Sequence, residues 1–537
     1  MNKKTGKLSL ITNCRKQPLI CFLVVCILIT TCSKLVLLGE GYYSSSDEWF
    51  YRYSLMFLYE LSNLNFPDAI TYLFSTHAKP GEVLLKIIPA VVQLISSKIF
   101  HLRVYEPSNM YPLFFYNFII YCLLLIVHYK FSKLLLKNQE LTLFSVLLFG
   151  LLTNTYIYIQ YAIPFDASLL ILYFITYSIV KHTNNDTISY KKSFFWGALA
   201  FFGYLVYPGY FPVLVIIGSL LFFNKLHPGV VRKKIRLCLS FVAGNLVCLS
   251  VFEALSRIGN YSYLEEALKH SKTIVSGSFE ESFIFLIKYL FIGERFIGII
   301  FLSGLVIFYF LTIKNFRKSQ SENSTLLLLG IVITVVYLIY SGMSYFFHTM
   351  VWYARLLHQF FPFICIIVVW ALGQLCANSR WKNIMIGSLS LLLIANFSFN
   401  LYEIKSLNYV RDIAWDLHKR YDLTQTTNIA ENKDVYVYDL PEMYGEILPP
   451  MDKTYTIDSI DKDFVFRDII VTNCCYYYYH KDTSHFHFFH PPVNYELTES
   501  YDLSELMVNN FEGVSPEQRR LPEKYTLKIN VYERKKE

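Results

Sequence analysis

Charged residues are scarce in this chain, at 17% of its 537 positions, and that scarcity excludes most water-soluble architectures. Apolar residues make up 54%, gathered in runs long enough to cross a hydrocarbon layer about 30 Å thick, and no soluble fold has the interior to hide them. A disulfide framework is also missing. All cysteines but two fall in or beside apolar runs at irregular intervals, and the exceptions, Cys474 and Cys475, are adjacent, a spacing that rarely meets ordinary disulfide geometry. There is no internal repeat, and no low-complexity linker beyond the tyrosine run Tyr476 to Tyr479. The apolar runs carry few ionisable groups. Lys34 and Glu253 are placed toward outer ends, where they can reach water, and the midplane acids or broken helices of pumps and ion-coupled transporters are wanting. The net charge of +8 comes mostly from short loops between runs, as expected for cytoplasmic lysines and arginines, so nucleic acid is not an expected partner.

What is present is a series of spans. The first run, residues 18 to 38, follows a basic tail with Lys3, Lys4, Lys7, Arg15 and Lys16, and is too long for a signal-peptide core, so it reads as a retained signal anchor. Further spans are predicted over 111–129, 141–160, 165–181, 193–206, 209–224, 237–256, 296–313, 325–345, 358–376 and 384–400. The stretch 82–100 differs. Its polar positions Glu82, Lys86, Pro89, Gln93 and Ser96 recur every three or four residues and form one stripe, which predicts a helix lying flat in the interface. With that stretch left out, about eleven spans place roughly twenty-one Lys and Arg on one side, against about eleven over nearly twice the length on the other. The expected topology has a cytoplasmic N-terminus and an extracytoplasmic C-terminal region.

From about Leu401 the composition turns polar. Alternating segments such as Asp434-Val-Tyr-Val-Tyr-Asp and Tyr525-Thr-Leu-Lys-Ile-Asn-Val-Tyr follow a helical stretch, Glu403 to Tyr421. The expected organisation is a polytopic α-helical membrane domain over 1–400 and a soluble α/β or α+β domain over 401–537. In the latter, Cys474 and Cys475 with His480, His485, His487 and His490 invite a metal site, yet the spacing matches no finger or ribbon pattern, and decoration of an aromatic-rich strand accounts for it as well.

Candidate chemistry lies on the predicted outer face. Asp47 and Glu48 follow the first span, where a carboxylate can deprotonate a hydroxyl beside a lipid-linked donor, although Ser45-x-x-Glu48 is equally a helix-capping pattern. Asp166 follows Pro164 at the outer start of a span, where a purely structural reading is a helix N-terminal acid. Lys79, Arg295 and Arg355 are cations of the same face, able to hold a lipid phosphate or to snorkel toward headgroups.

Over residues 18 to 376 the order of these features resembles the GT-C superfamily of polyprenyl-phosphate-sugar-dependent glycosyltransferases, in particular protein O-mannosyltransferases and the bacterial transferases that add aminoarabinose to lipid A. The resemblance is carried by Asp47-Glu48, by Lys79-Pro80 ahead of the amphipathic stretch, by Ile163-Pro-Phe-Asp166, by Tyr204-Leu-Val-Tyr-Pro208-Gly209, and by Tyr353-Ala-Arg355 before Phe361-Pro362. Two positions depart from the family pattern: Gly81 stands in place of a second proline, and Tyr207-Pro208 stands where many members carry a lysine. The resemblance implies a GT-C-like fold in a bacterial inner membrane and transfer of a sugar from a polyprenyl-phosphate donor to a glycan, lipid or protein acceptor. It implies Asp47, Glu48 and Asp166 as catalytic carboxylates and Lys79, Arg355 and Arg295 as ligands of the lipid phosphate, with no cofactor and no required metal. A lipid-linked glycan polymerase or ligase, and a flippase or solute transporter, are the rival readings.

Overall fold

A computed structural model describes residues 17–38, 51–74, 79–101, 110–184, 188–223, 231–274, 283–314, 324–347, 352, 354–375, 378–406, 435–438, 469–473, 493–502 and 528–535. Its helices, in chain order, are α1 (Pro18–Ser33), α2 (Tyr51–Ser62), α3 (Phe66–Phe74), α4 (Pro80–Leu85), α5 (Ile87–Phe100), α6 (Tyr111–Leu136), α7 (Gln139–Leu151), α8 (Thr153–Tyr156), α9 (Phe165–Asn184), α10 (Tyr190–Val206), α11 (Phe211–Phe223), α12 (Val231–Ile258), α13 (Tyr263–Ile274), α14 (Phe285–Ile292), α15 (Phe296–Lys314), α16 (Ser324–Phe347), α17 (Ala354–His358), α18 (Phe361–Leu375) and α19 (Ser379–Ser406).

Each predicted span has its helix, and the exposed faces of these helices are apolar: Val306, Phe310 and Ile313 on α15 are 69%, 61% and 78% exposed. In water such a surface would aggregate; in a bilayer it is solvated. Among the described residues six helices are long and apolar enough to cross a membrane, and α7 with the segment Thr153–Gln160 makes a seventh if counted as one bent span, against about eleven spans expected. The chain is a polytopic α-helical membrane protein. Its core lies around α7, where every residue from Leu141 to Leu151 is buried, and around α18, buried along most of its length. Hydroxyls on these helices return to their own backbone, as when Thr176 donates to Leu172 O and Ser390 to Ile386 O, which satisfies them without water. Helices α10 and α12 approach through glycine. A Cβ on Gly197 would lie 1.9 Å from Phe241 O, and one on Gly244 would lie 2.1 Å from Phe194 O, so only hydrogen fits at either position. Cys21 is disulfide-bonded, whereas Cys26, Cys122 and Cys365, among others, are free thiols, so among the described residues no framework of bridges staples the bundle.

Three expectations change. The span predicted over 141–160 is broken: Leu152 is extended (φ −62°, ψ 127°), and the chain turns by 74° there. The freed backbone groups find partners in the Thr155 hydroxyl, which donates to Phe149 O and Leu152 O, and in the Glu294 carboxylate described below. The stretch 82–100 is amphipathic as expected, but it divides into α4 and α5 and turns its polar stripe inward. Glu82, Lys86, Pro89 and Gln93 are buried while Ile88, Val92, Ile95 and Ile99 are exposed. At 14 residues, hence about 21 Å, α5 is too short to span. Lys34 does not reach water. It is fully buried, donates to Thr30 O, and its ammonium lies 4.7–5.3 Å from the ring centroids of Tyr121, Tyr156 and Phe397.

The C-terminal strands β1 (Val435–Tyr438), β2 (Ile469–Asn473), β3 (Tyr495–Asp502) and β4 (Lys528–Arg534) form one sheet in the order β1-β2-β4-β3. The first pair is parallel and the other two antiparallel, with a bulge near Thr498. The cysteine and histidine cluster 474–490 lies outside the described residues.

Candidate active site

The polar ends of four elements distant in sequence meet around one pair of aromatic rings. Helix α4 opens at Pro80, a residue suited to the first helical turn, and seats its start on the end of α10. Contact is so close that a Cβ on Gly81 would stand 2.6 Å from Val206 N and 2.7 Å from Leu205 C, so only glycine fits there. That seating places Lys79 beside Tyr207, its ammonium 5.6 Å from the ring centroid. Tyr207 packs edge-on against Phe165 at 4.5 Å, and the Arg355 guanidinium lies 5.7 Å from the Phe165 centroid on α9. Tyr207 thus supplies a ring face to a cation from another element.

Asp166 sits next to Phe165 in the first turn of α9 and is only 4% exposed. Its Oδ1 lies 3.1 Å from His358 Nε2, off the direction a hydrogen bond needs, and neither carboxylate oxygen finds a hydrogen-bond donor among the described residues. On its other side His358 Nδ1 is 2.6 Å from the Tyr210 hydroxyl, so Asp166, His358 and Tyr210 form a buried carboxylate–imidazole–phenol row. Burial of a carboxylate with so little compensation is costly, and such sites are characteristically functional.

Asp166 also lines a narrow pocket, with room for about one water molecule, together with Lys86, Tyr116, Asn117 and Tyr158. Lys86 is held there by Glu82 at 2.7 Å and by the carbonyl of Ala162, while Asn117 donates to Tyr161 O at 2.6 Å. The inward stripe of α4 and α5 therefore brings an ammonium to the wall that carries Asp166.

Of the residues singled out from sequence, Lys79, Asp166 and Arg355 are brought together. Arg295 is not in this cluster. Its guanidinium pairs with Glu403 at 2.7 Å, donates to Asn400 and lies over Phe399, all on α19. Asp47 and Glu48 lie outside the described residues. His358, Tyr210, Lys86 and Glu294 were not singled out; of these, only Lys86, as part of the polar stripe, left a signal in the sequence that could have found it.

With this geometry in hand, the whole chain can be set beside known structures. It superimposes on ArnT from Cupriavidus metallidurans bound to undecaprenyl phosphate with a TM-score of 0.50, over 85% of this chain and 93% of that one, at 12% identity. The chain has the GT-C fold. The oligosaccharyltransferase of Archaeoglobus fulgidus, in complex with Zn and sulfate, is similar over 84% of this chain and 68% of its own, with 11% identity and a TM-score of 0.43. No family model and no curated protein matches the sequence. In this GT-C fold, Asp166 and Arg355 belong to separate elements, α9 and α17, that meet at the Phe165 ring.

Proposed function

We propose that the protein transfers one sugar from an isoprenoid phosphate carrier to a hydroxyl acceptor at the non-cytoplasmic face of the membrane. The observation that carries this reading is that two cations, Lys79 and Arg355, stand at the Phe165–Tyr207 ring pair, next to Asp166, a buried carboxylate whose described ion-pair partner is His358 at 3.1 Å. The GT-C fold supports it, as does the undecaprenyl phosphate held by ArnT. The excess of Lys and Arg on alternate loops supports a cytoplasmic N-terminus, with the site opposite.

In the proposed reaction Lys79 and Arg355 hold the carrier phosphate, and their charge stabilises the negative charge that gathers as it leaves. The acceptor O–H gives its proton to the Asp47 carboxylate. Its oxygen forms a bond to the anomeric carbon while the carbon–oxygen bond to phosphate breaks, the electron pair leaving on the phosphate, so the anomeric centre inverts. Asp166, backed by His358 and Tyr210, orients the acceptor.

The test uses the full chain in lipid nanodiscs with a polyprenyl-phosphate sugar and a hydroxyl acceptor, reading the acceptor's mass. A gain of one sugar is expected. Asp47→Asn and Arg355→Ala should each lose most turnover, and near-normal rates for both would overturn these roles. Addition of a whole oligosaccharide would instead identify a polymerase or ligase.

A further inference from the structure

Glu294 precedes α15 in a loop that none of the roles above uses, yet it is fully buried. Its carboxylate accepts the N–H of Thr153 at 2.8 Å and of Asn154 at 3.0 Å, and the Tyr289 hydroxyl donates to it at 3.0 Å. The two N–H groups are those that open α8 after the break at Leu152, where the helix above leaves no carbonyl to receive them. Glu294 thus closes a gap that the bend creates.

The next links run straight to the site. Asn154 donates from its side-chain amide to Ala354 O at 2.8 Å, at the residue before Arg355 and at the start of the short helix α17. The same amide accepts the Tyr158 hydroxyl at 2.7 Å, so both its ends are used. Tyr158 packs on His358 with ring centroids 5.1 Å apart and lines the cavity beside Asp166. A five-residue helix has little stability of its own, so the hydrogen bond at its start bears on where Arg355 and His358 point.

We infer that Glu294 is a positioning residue: by clamping the N–H groups that open α8 it fixes Asn154, and through Asn154 the segment that presents Arg355 and His358. Its neighbour Arg295 ties the same loop to α19 through Asn400 and Glu403, and Asn400 in turn donates to the Thr153 hydroxyl at 2.9 Å, so the break is braced from that side as well.

The inference rests on the reading that Arg355 holds the carrier phosphate, so the experiment measures binding of undecaprenyl phosphate itself to the full chain in nanodiscs. Wild type, Arg355→Ala, Glu294→Gln, Asn154→Ala and the Arg355→Ala/Glu294→Gln pair are compared, each only as monodisperse protein titrated per folded molecule. Glu294→Gln and Asn154→Ala should each weaken binding about tenfold, the scale of one lost charge-assisted contact. The double variant should bind no more weakly than Arg355→Ala alone, because Glu294 acts through that guanidinium. Fully additive losses, or an unchanged affinity for Glu294→Gln beside a weakened Arg355→Ala, would overturn the inference. No binding by wild type would overturn the phosphate reading instead. If Glu294→Gln does not fold, Asn154→Ala and its double variant with Arg355→Ala decide the question by the same criterion.

Discussion

Replacing Asp166 by asparagine separates two accounts of this residue by the sign of the stability change. As a plain helix N-terminal acid, Asp166 would stabilise α9 by about 0.3–1 kcal/mol, up to about 2 in a partly buried setting, and the amide would lose that. The structure points the other way. A carboxylate that is 4% exposed, with no hydrogen-bond donor among the described residues and one imidazole at 3.1 Å in poor alignment, bears a desolvation cost of several kcal/mol that the helix terminus offsets only in part. Asp166→Asn keeps the shape and removes the charge. Its expected effect is a gain of about 1–3 kcal/mol in stability, with turnover reduced by about a hundredfold or more, the exchange of stability for activity that functional sites show. Thermal or denaturant unfolding in nanodiscs at pH 7 measures the first, and sugar transfer per folded molecule the second. A variant less stable than wild type with normal turnover would refute the reasoning and return Asp166 to a capping role.

Three further outcomes follow from the same geometry. Gly81→Ala drives a methyl against Val206 N and Leu205 C; it should cost about 1–3 kcal/mol and, by lifting Lys79 from Tyr207, raise the KM for the lipid donor more than it lowers kcat, which steady-state kinetics will show. Gly197→Ala meets Phe241 O and should destabilise by a similar amount, about 1–3 kcal/mol, while turnover per folded molecule stays normal, as paired unfolding and activity measurements can check. Burial pushes the Glu294 carboxyl above its ordinary range, against the opposing pull of hydrogen bonds from Asn154, Thr153 and Tyr289. The folded protein therefore holds that proton more tightly than the unfolded chain, so the associated stability is complete below the unfolded value of about 4.3 and is lost as pH rises through the raised one. Unfolding midpoints taken upward from about pH 4 should fall less steeply for Glu294→Gln than for wild type, and equal slopes would exclude the effect.

Much of the membrane fold was legible because apolar run length is a one-dimensional property. Loop charge predicts one face for Asp166, Lys79 and Arg355; in the structure Arg355 lies by the Phe165 ring next to Asp166, and Lys79 by the Tyr207 ring that packs on it. The rest depended on contacts between distant residues. His358 looks like a core histidine, and its place beside Asp166 and Tyr210 exists only once α9, the turn Pro208–Tyr210 and α17 are packed. Glu294 carries no signal in the sequence, and Arg295 reads there as a cation for a lipid phosphate or a headgroup, whereas the first closes a break in α7–α8 and the second grips α19. The break itself has no proline to announce it. Lys34 was expected near water because it stands at a span's end, but the rings of Tyr121, Tyr156 and Phe397 close over it. For 82–100 the periodicity was informative and the direction was not, since a polar stripe can face water or other polar groups inside the protein.

The glycine contacts between α10 and α12 constrain how this protein can move. Where Gly197 meets Phe241 and Gly244 meets Phe194, the two backbones touch with no side chain to act as a cushion, so neither helix can slide or roll without steric collision. The pair is a stiff beam, and one end of it anchors Lys79 through Gly81 and Tyr207. Any motion that widens the site must then displace the Arg355 side against that fixed bank.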